Sequence, residues 1–405
     1  MIWSISWRNV WRNKMRSLVV IIAVSIGLIA GVFSSFFMKG WIQQRLDDVI
    51  NTEMAHIQIH KPKFKDNYEL KYLIKNSAEK LSEINKIEGV VASTSRIIIN
   101  SMVASAETGT GVKIVGTEPE LEKKVSNIHE KIIEGKYFEG VSRNPVVVGE
   151  KLANKLNVSV RNKIIITVQD TNGHIISGAF RIAGIYRTVN TAFDGMTIFV
   201  RNSDISRLCS IEKSSSHEIA ILLKDNENLE NITNQISGIS PDLITENWKT
   251  LSPEMGYMDE IMGVYMYIVL IIILLALCFG IINTMLMVVL ERVKELGMLM
   301  AVGMNKARVF CMIILESIFL SLTGGIVGII FGYLISLYFS KVGLDLSIWA
   351  EGLSAMGFSS IIYPVIDFET LFITSILVII TGIISALYPA YKALKLNPAE
   401  SIRTE

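Results

Sequence analysis

Half of the 405 residues are hydrophobic, 19% are charged and the mean hydropathy is +0.43, a balance too apolar for an ordinary soluble multidomain protein. The formal net charge of +1 implies no bulk polyanion partner, and no basic patch argues for nucleic acid. The apolar excess is concentrated in four runs without Asp, Glu, Lys or Arg: Leu18 to Met38, Ile261 to Leu290, Ser317 to Ser340 and Thr370 to Tyr391. About 20 helical residues cross a hydrocarbon core, so each run is long enough to span. A buried core helix would tolerate an occasional charge, and none occurs in any run.

In chain order, residues 1–17 read MIWSISWRNVWRNKMRS, with Trp3, Trp7 and Trp11 four apart and Arg8, Arg12 and Arg16 following at the same spacing. On a helix this sets an aromatic stripe beside a basic one. The pattern fits a cytoplasmic interfacial amphipathic helix, indoles at headgroup depth and guanidiniums towards anionic lipid. Residues 18–38 form the first span. The run exceeds the 7–15 apolar residues of a signal peptide and no small-x-small site follows, so it reads as an uncleaved anchor. Ala23, Gly27, Gly31 and Ser35 recur every four residues within it, as do Gly324, Gly328 and Gly332 in the third span and Gly382, Ala386 and Ala390 in the fourth. Such small faces let helix backbones approach closely and predict a tight bundle.

Residues 39–260 read as a folded α/β domain large enough to hold its own core. AHIQIH (Ala55 to His60), RIIINSMV and KIIITVQD carry strand patterns, and Thr171-Asn172-Gly173-His174 supplies a turn into IISGAFRIAGIYR. Glu150 to Leu156 and Asn228 to Ile236 are helical by pattern, and a strand follows near Leu243 to Glu246. Residues 261–290 form the second span.

The stretch LERVKELGMLMAVGMNKARVF then interrupts the apolar runs with charges and two glycines. Val293, Leu296 and Met300 give an apolar stripe at i, i+3 and i+7, Gly303 reads as a helix stop, and Asn305 as the N-cap of a helix entering the third span. A short amphipathic helix tied rigidly to two spans is a handle, whereas a mere connector would favour flexible polar residues. Met298, Met300 and Met304 suit an adaptable docking surface or simply fill a core. Residues 291–312 are the connector, 313–340 the third span, 341–369 an outer loop, 370–391 the fourth span and 392–405 the tail. Glu316, bordering the hydrocarbon within about two turns of the connector, snorkels or pairs with Arg308.

Lysine and arginine near short flanks fix orientation. Arg8, Arg12, Lys14 and Arg16, then Arg292, Lys294, Lys306 and Arg308, then Lys392, Lys395 and Arg403, make three flanks cytoplasmic, while Asp345, Glu351, Asp367 and Glu369 against one lysine mark residues 341–369 as outside. Both termini are then cytoplasmic and residues 39–260 extracytoplasmic. Cys209, Cys278 and Cys311 fall in separate compartments, so no intrachain disulfide is expected.

Catalytic and metal chemistry is not indicated. His56 and His60 alternate on a strand and sit about 13 Å apart by strand rise, too far to chelate one ion. GTGVKIVG (Gly109 to Gly116) lacks the Gly-Lys-Ser/Thr ending of a phosphate loop and reads instead as a β-turn between strands.

The residues also carry a family resemblance. ER-x-KELG-x-L-x-AVGM followed by a span opening Glu-Ser, and the end YPAYKALKLNPAESIR, resemble the coupling segment and tail of ABC permeases of the MacB/FtsX superfamily. WRNVWRNKMRS, AHIQIHKPKFKD, VGTEPELE, PVVVGEKLANKLNV, FRIAGIY and VGLDLS are most similar to its lipoprotein-releasing, Lol-type branch. The resemblance implies an α-helical integral membrane protein with four transmembrane helices and a large extracytoplasmic α/β domain, the MacB-like periplasmic core, between the first and second. It implies a mechanotransmission subunit of a bacterial inner membrane with no nucleotide site of its own, and hence no enzyme. ATP and Mg would be held by a cytoplasmic ABC ATPase dimer, and a second permease subunit, the same or a homologous chain, would complete the assembly. Glu291, Arg292, Glu295, Gly297, Leu299 and Gly303 match the motif and take the ATPase-coupling role. In Lol relatives a lipoprotein anchor sits between the first two spans before passing to a soluble periplasmic carrier. The matching residues here are Phe33, Phe36, Phe37, Met38, Met262, Tyr265 and Met266, which would meet either acyl chains or ordinary membrane lipid. MacB-like efflux of peptides or toxic small molecules, and FtsX-like signalling to a partner outside, are the alternative expectations.

Overall fold

The structure is a computed structural model that describes residues 2–170, 173–212 and 214–395. It divides into two compact units: one runs to Ile42, resumes over Asp259–Asp345 and again from Ile361, and the other comprises Gln43–Met258 with Leu346–Ser360.

The first unit is helical. Helix α1 is Ile2–Arg12 and α2 is Lys14–Asp48; α3, Pro253–Glu291, α4, Val293–Ala301, and α5, Lys306–Val342, follow, and α6 is Phe368–Leu394. Helices α2, α3, α5 and α6 are each long and apolar enough to cross a membrane. Each overruns its apolar run, because the need for apolar side chains ends at the bilayer surface while the helix continues beyond it.

The small-residue faces set the packing, each against a different neighbour. A Cβ on Gly324 would lie 2.8 Å from that of Val24, and one on Gly328 would lie 2.8 Å from that of Leu28 and 2.9 Å from the Ser25 carbonyl oxygen. The Ser25 hydroxyl donates to the Gly324 carbonyl at 3.0 Å. Gly27 and Gly31 receive Leu277 and Ile273 of α3 instead. Between α5 and α6, the Ser317 hydroxyl donates to the Gly382 carbonyl at 3.1 Å. At the other end of α2, residues 363–367 lie across the helix: Val365 N–H donates to the Phe36 carbonyl at 3.1 Å, and Lys39 pairs with Asp367 at 3.2 Å. A side chain at Gly40 would put its Cβ 2.2 Å from the Tyr363 carbonyl oxygen, so only glycine admits this crossing.

The second unit is α/β, as its alternation predicts, with ten strands in one hydrogen-bonded system. They are β1 Ile57–His60, β2 Val90–Ala104, β3 Gly109–Thr117, β4 Ile132–Gly135, β5 Pro145–Gly149, β6 Lys163–Gln169, β7 Ile175–Tyr186, β8 Thr197–Arg201, β9 Glu218–Leu223 and β10 Ile244–Asn247. The path β2-β3-β8-β5-β7-β6 returns to β2, because β6 pairs with both β7 and β2, and so closes a six-stranded barrel. Its interior holds Ile97, Ile99, Ile114, Val146, Ile164, Phe180 and Ile198, all buried. The first half of β2 leaves the barrel to pair with β9, extending into the open antiparallel sheet β10-β1-β9-β2. That sheet packs on a second core containing Ile59, Leu81, Ile221, Ile236 and Trp248.

One local expectation is corrected. Gly109 to Gly116 is strand β3, not a turn. Gly111 faces Met102 and Gly116 faces Ile97 in register with β2, and the turn is made by Ser105–Thr108, where Ser105 N–H donates to the Thr108 carbonyl. Gly116 is needed because Ile205 and Ile97 crowd it. Of the hairpin turn before IISGAFRIAGIYR, Thr171 and Asn172 lie outside the described residues; Asp170 N–H donates to the His174 carbonyl across it.

Candidate coupling site

The connector folds as the punctuation predicts. Helix α4 ends at Ala301, Gly303 takes φ +102°, and the Asn305 side chain accepts from Ala307 N–H to start α5. Leu296 is buried, with Leu299, Met300 and Met304 packed beside it on the helical core. Met298 and Val302 remain exposed.

The charges of this segment face inward to one another. Arg292, in the break between α3 and α4, donates through Nε to Glu295 at 3.0 Å and through Nη1 to both carboxylate oxygens of Glu316 at 3.2 and 3.3 Å. Glu316 is 4% exposed and takes a second donor, the Asn9 side chain, at 2.7 Å. Arg12 donates to Glu295 at 2.5 Å, and Arg16 reaches Glu291 through both terminal nitrogens. The Ser6 hydroxyl donates to the Met312 carbonyl at 3.2 Å, and the indoles of Trp3 and Trp7 meet the Phe319 ring edge-on. Helix α1 therefore lies along α5 and spans from it to α4. The side chains of Asn9, Arg12, Arg16, Glu295 and Glu316 wall a cavity of about 190 Å³. The hydrogen bond from Arg12 holds the Glu295 carboxyl below its usual range and in turn raises the Arg12 guanidinium.

This arrangement replaces two expectations. Glu316 pairs with Arg292 and not with Arg308: eight residues along one helix separate Arg308 and Glu316 by about 12 Å of rise, whereas the break before α4 folds Arg292 back. Arg12 and Arg16 turn to carboxylates of this chain and not to lipid. Their signal was present in the sequence, since Arg12 and Arg16 are four apart and so are Glu291 and Glu295, which pair in antiparallel order.

Of the motif positions, Glu291, Arg292 and Glu295 are thus brought together, Gly297 is buried, Leu299 is half-buried and Gly303 is exposed. Among the residues matched to the acyl site, Phe33 and Phe37 stack at 6.3 Å, continuing to Phe339 on one side and Trp41 on the other. Phe36 is fully buried and offers no surface to a ligand, and Met38 is half-buried. On α3, Tyr265 is exposed and Met262 and Met266 are half-buried. The antiparallel register set by Gly27 on Leu277 and Gly31 on Ile273, carried two turns further, brings Met38 level with Met266.

Residues 17–239 match the MacB-like periplasmic core domain and residues 267–398 match the FtsX-like permease C-terminal family. The first match alone takes in more than half of the chain. The chain belongs to the MacB/FtsX superfamily of ABC transporter permeases. This permease is 27% identical to an uncharacterized ABC transporter permease of Methanocaldococcus jannaschii over 68% of this chain and 66% of the relative. It is 23% identical to the lipoprotein-releasing system transmembrane protein LolC of Haemophilus influenzae over 64% of each chain. It is also 35% identical to the macrolide export ATP-binding/permease protein MacB of Bdellovibrio bacteriovorus, over 31% of this chain and 17% of that one. This permease thus spans just under two thirds of the length of the first two relatives. With four candidate spans and this membership, it is an integral membrane protein.

Proposed function

We propose that this permease takes the stroke of a cytoplasmic ABC ATPase dimer, which holds the ATP and Mg, on residues 291–312. With a second permease subunit, the same or a homologous chain, it uses that stroke to lift lipoproteins from the inner membrane towards a carrier outside. The observation that carries this is the α4–α5 connector. A nine-residue helix bounded by Arg292 at one end and by Gly303 and Asn305 at the other is a stiff handle, with Met298 and Val302 open to a partner. The LolC relative supports lipoprotein as cargo, and the Phe33–Phe37 ladder with Met38, Tyr265 and Met266 supplies apolar surface for acyl chains. The MacB similarity, higher in identity over a shorter stretch, favours export of a small molecule as the second reading.

Depleting the permease and fractionating membranes discriminates the two. Lipoproteins should accumulate in the inner membrane. Normal lipoprotein delivery together with raised macrolide susceptibility would overturn lipoprotein release in favour of export, and normal delivery with no change in susceptibility would leave signalling to an outer partner. An ATPase should co-purify with the tagged permease in each transport case.

A further inference from the structure

Helix α1 has more to do than lie at an interface. Seen from α4, Glu295 accepts from two guanidiniums that belong to different elements, Arg292 beside it and Arg12 on α1. Seen from α5, the buried Glu316 likewise accepts from Arg292 and from Asn9 on α1. The five side chains close a ring through α1: Arg292 and α1 each bridge the same two carboxylates, one on the handle and one on the third span. Two bridges in parallel fix the angle between α4 and α5, which a single bridge would leave free to hinge at Gly303. Arg292–Glu316 is the buried pair of the ring, and removing either of its partners leaves an uncompensated charge; Arg12–Glu295 closes the ring at the surface. The Arg16–Glu291 pair adds a third tie, from the start of α2 to the end of α3.

We propose that α1 is a working part of the transmission. It braces the handle against the third span through Asn9 and Arg12, so that force on α4 reaches α5 without being lost at the Gly303 bend. Arg12, Asn9, Arg292 and Glu295 are in this view positioning residues that act between elements of one chain, leaving contact with the ATPase to the exposed Met298 and Val302. The proposal rests on the reading that residues 291–312 receive an ATPase stroke.

The test uses the full-length permease with the ATPase that co-purifies with it, in nanodiscs, measuring the ATP-dependent change in hydrogen exchange over residues 43–258. Arg12→Glu should retain the ATPase but reduce that change about five-fold or more, as expected within one salt-bridge network, while Arg12→Lys, which keeps the charge facing Glu295, should retain most of it. Arg12→Gln carries the same test should a reversal fail to insert. An Arg12→Glu or Arg12→Gln variant that keeps the full response, or an Arg12→Lys variant that loses as much as Arg12→Glu, would overturn the brace while leaving the proposed function standing. A wild-type permease that brings down no ATPase, or shows no response to ATP, would remove the proposed function and the brace with it.

Discussion

His56 and His217 show how single residues of the outer domain set its response to pH. Both rings are buried, and in each Nδ1 accepts a backbone N–H, from Leu223 and from Ile98. A second ring proton would destroy that bond and charge an apolar site, and burial pushes both groups down to about 4 from 6.5. Between those values the unfolded chain binds protons that the folded one refuses, so the contribution is fully present above pH 6.5 and is lost as pH falls towards 4. Asp194 opposes it: burial raises its carboxyl to about 6, so its protonated form favours the fold as pH falls through the same window. The two histidines should each lower stability on acidification from pH 6.5 to 4, against the opposing contributions of Asp194 and of Asp48, which burial also raises. His217→Asn, which keeps an acceptor near Ile98 N–H, should flatten that slope by roughly one proton, read by urea unfolding at stepped pH. A slope unchanged by the substitution would refute the assignment. The spacing of His56 and His60 argued against chelation, but it carried no sign of the Ile98 or Leu223 partners, which come from strand register across more than a hundred residues.

At the scale of elements, the glycine faces were legible and their destinations were not. A repeat of four says that a helix has a close neighbour; it does not say which. Gly27 and Gly31 admit α3, while Gly324 and Gly328 admit α2 on another of its faces. Gly328→Val should cost about 1–3 kcal/mol, the range for overpacking a filled site, because Leu28 and the Ser25 backbone leave no room. Gly280→Val on α3, where an added Cβ meets nothing within 4 Å, should be nearly silent. Thermal unfolding in nanodiscs compares them, and equal melting temperatures would contradict the packing. Several strands of the second unit were read from their patterns, yet closure of the barrel was hidden. It depends on β6 pairing with β2, a contact between strands about sixty residues apart. The β3 error has a related cause, for glycines that look like a turn serve here as gaps for Ile97 and Ile205.

For the whole molecule, charge asymmetry around four spans predicts which ends face the cytoplasm. Val302 on the connector and Ile348 between the third and fourth spans are each 90% exposed, so both would react with a thiol reagent that reached them. With Cys209, Cys278 and Cys311 replaced, Val302→Cys should resist a membrane-impermeant maleimide in intact cells and react after lysis, whereas Ile348→Cys should react in both. Labelling of position 302 from outside would invert the topology and end the proposed role of α4. The family was legible because the connector motif and the outer-domain motifs survive as local strings. The brace was not, because Asn9 and Arg12 stand about 300 residues from Glu316 and Glu295 in the chain and only folding brings them together.

The close fit of the third span on the first limits how the pair can rearrange. With Gly324, Gly328 and Gly332 seated on Val24, Leu28 and Val32, a small axial slide would drive each backbone gap onto a side chain, while a slide of about 6 Å, four residues of rise, would reseat the pattern one notch along. Motion between these two rods is therefore either none or a whole step, so any ratcheting along this seam would arrive in discrete clicks.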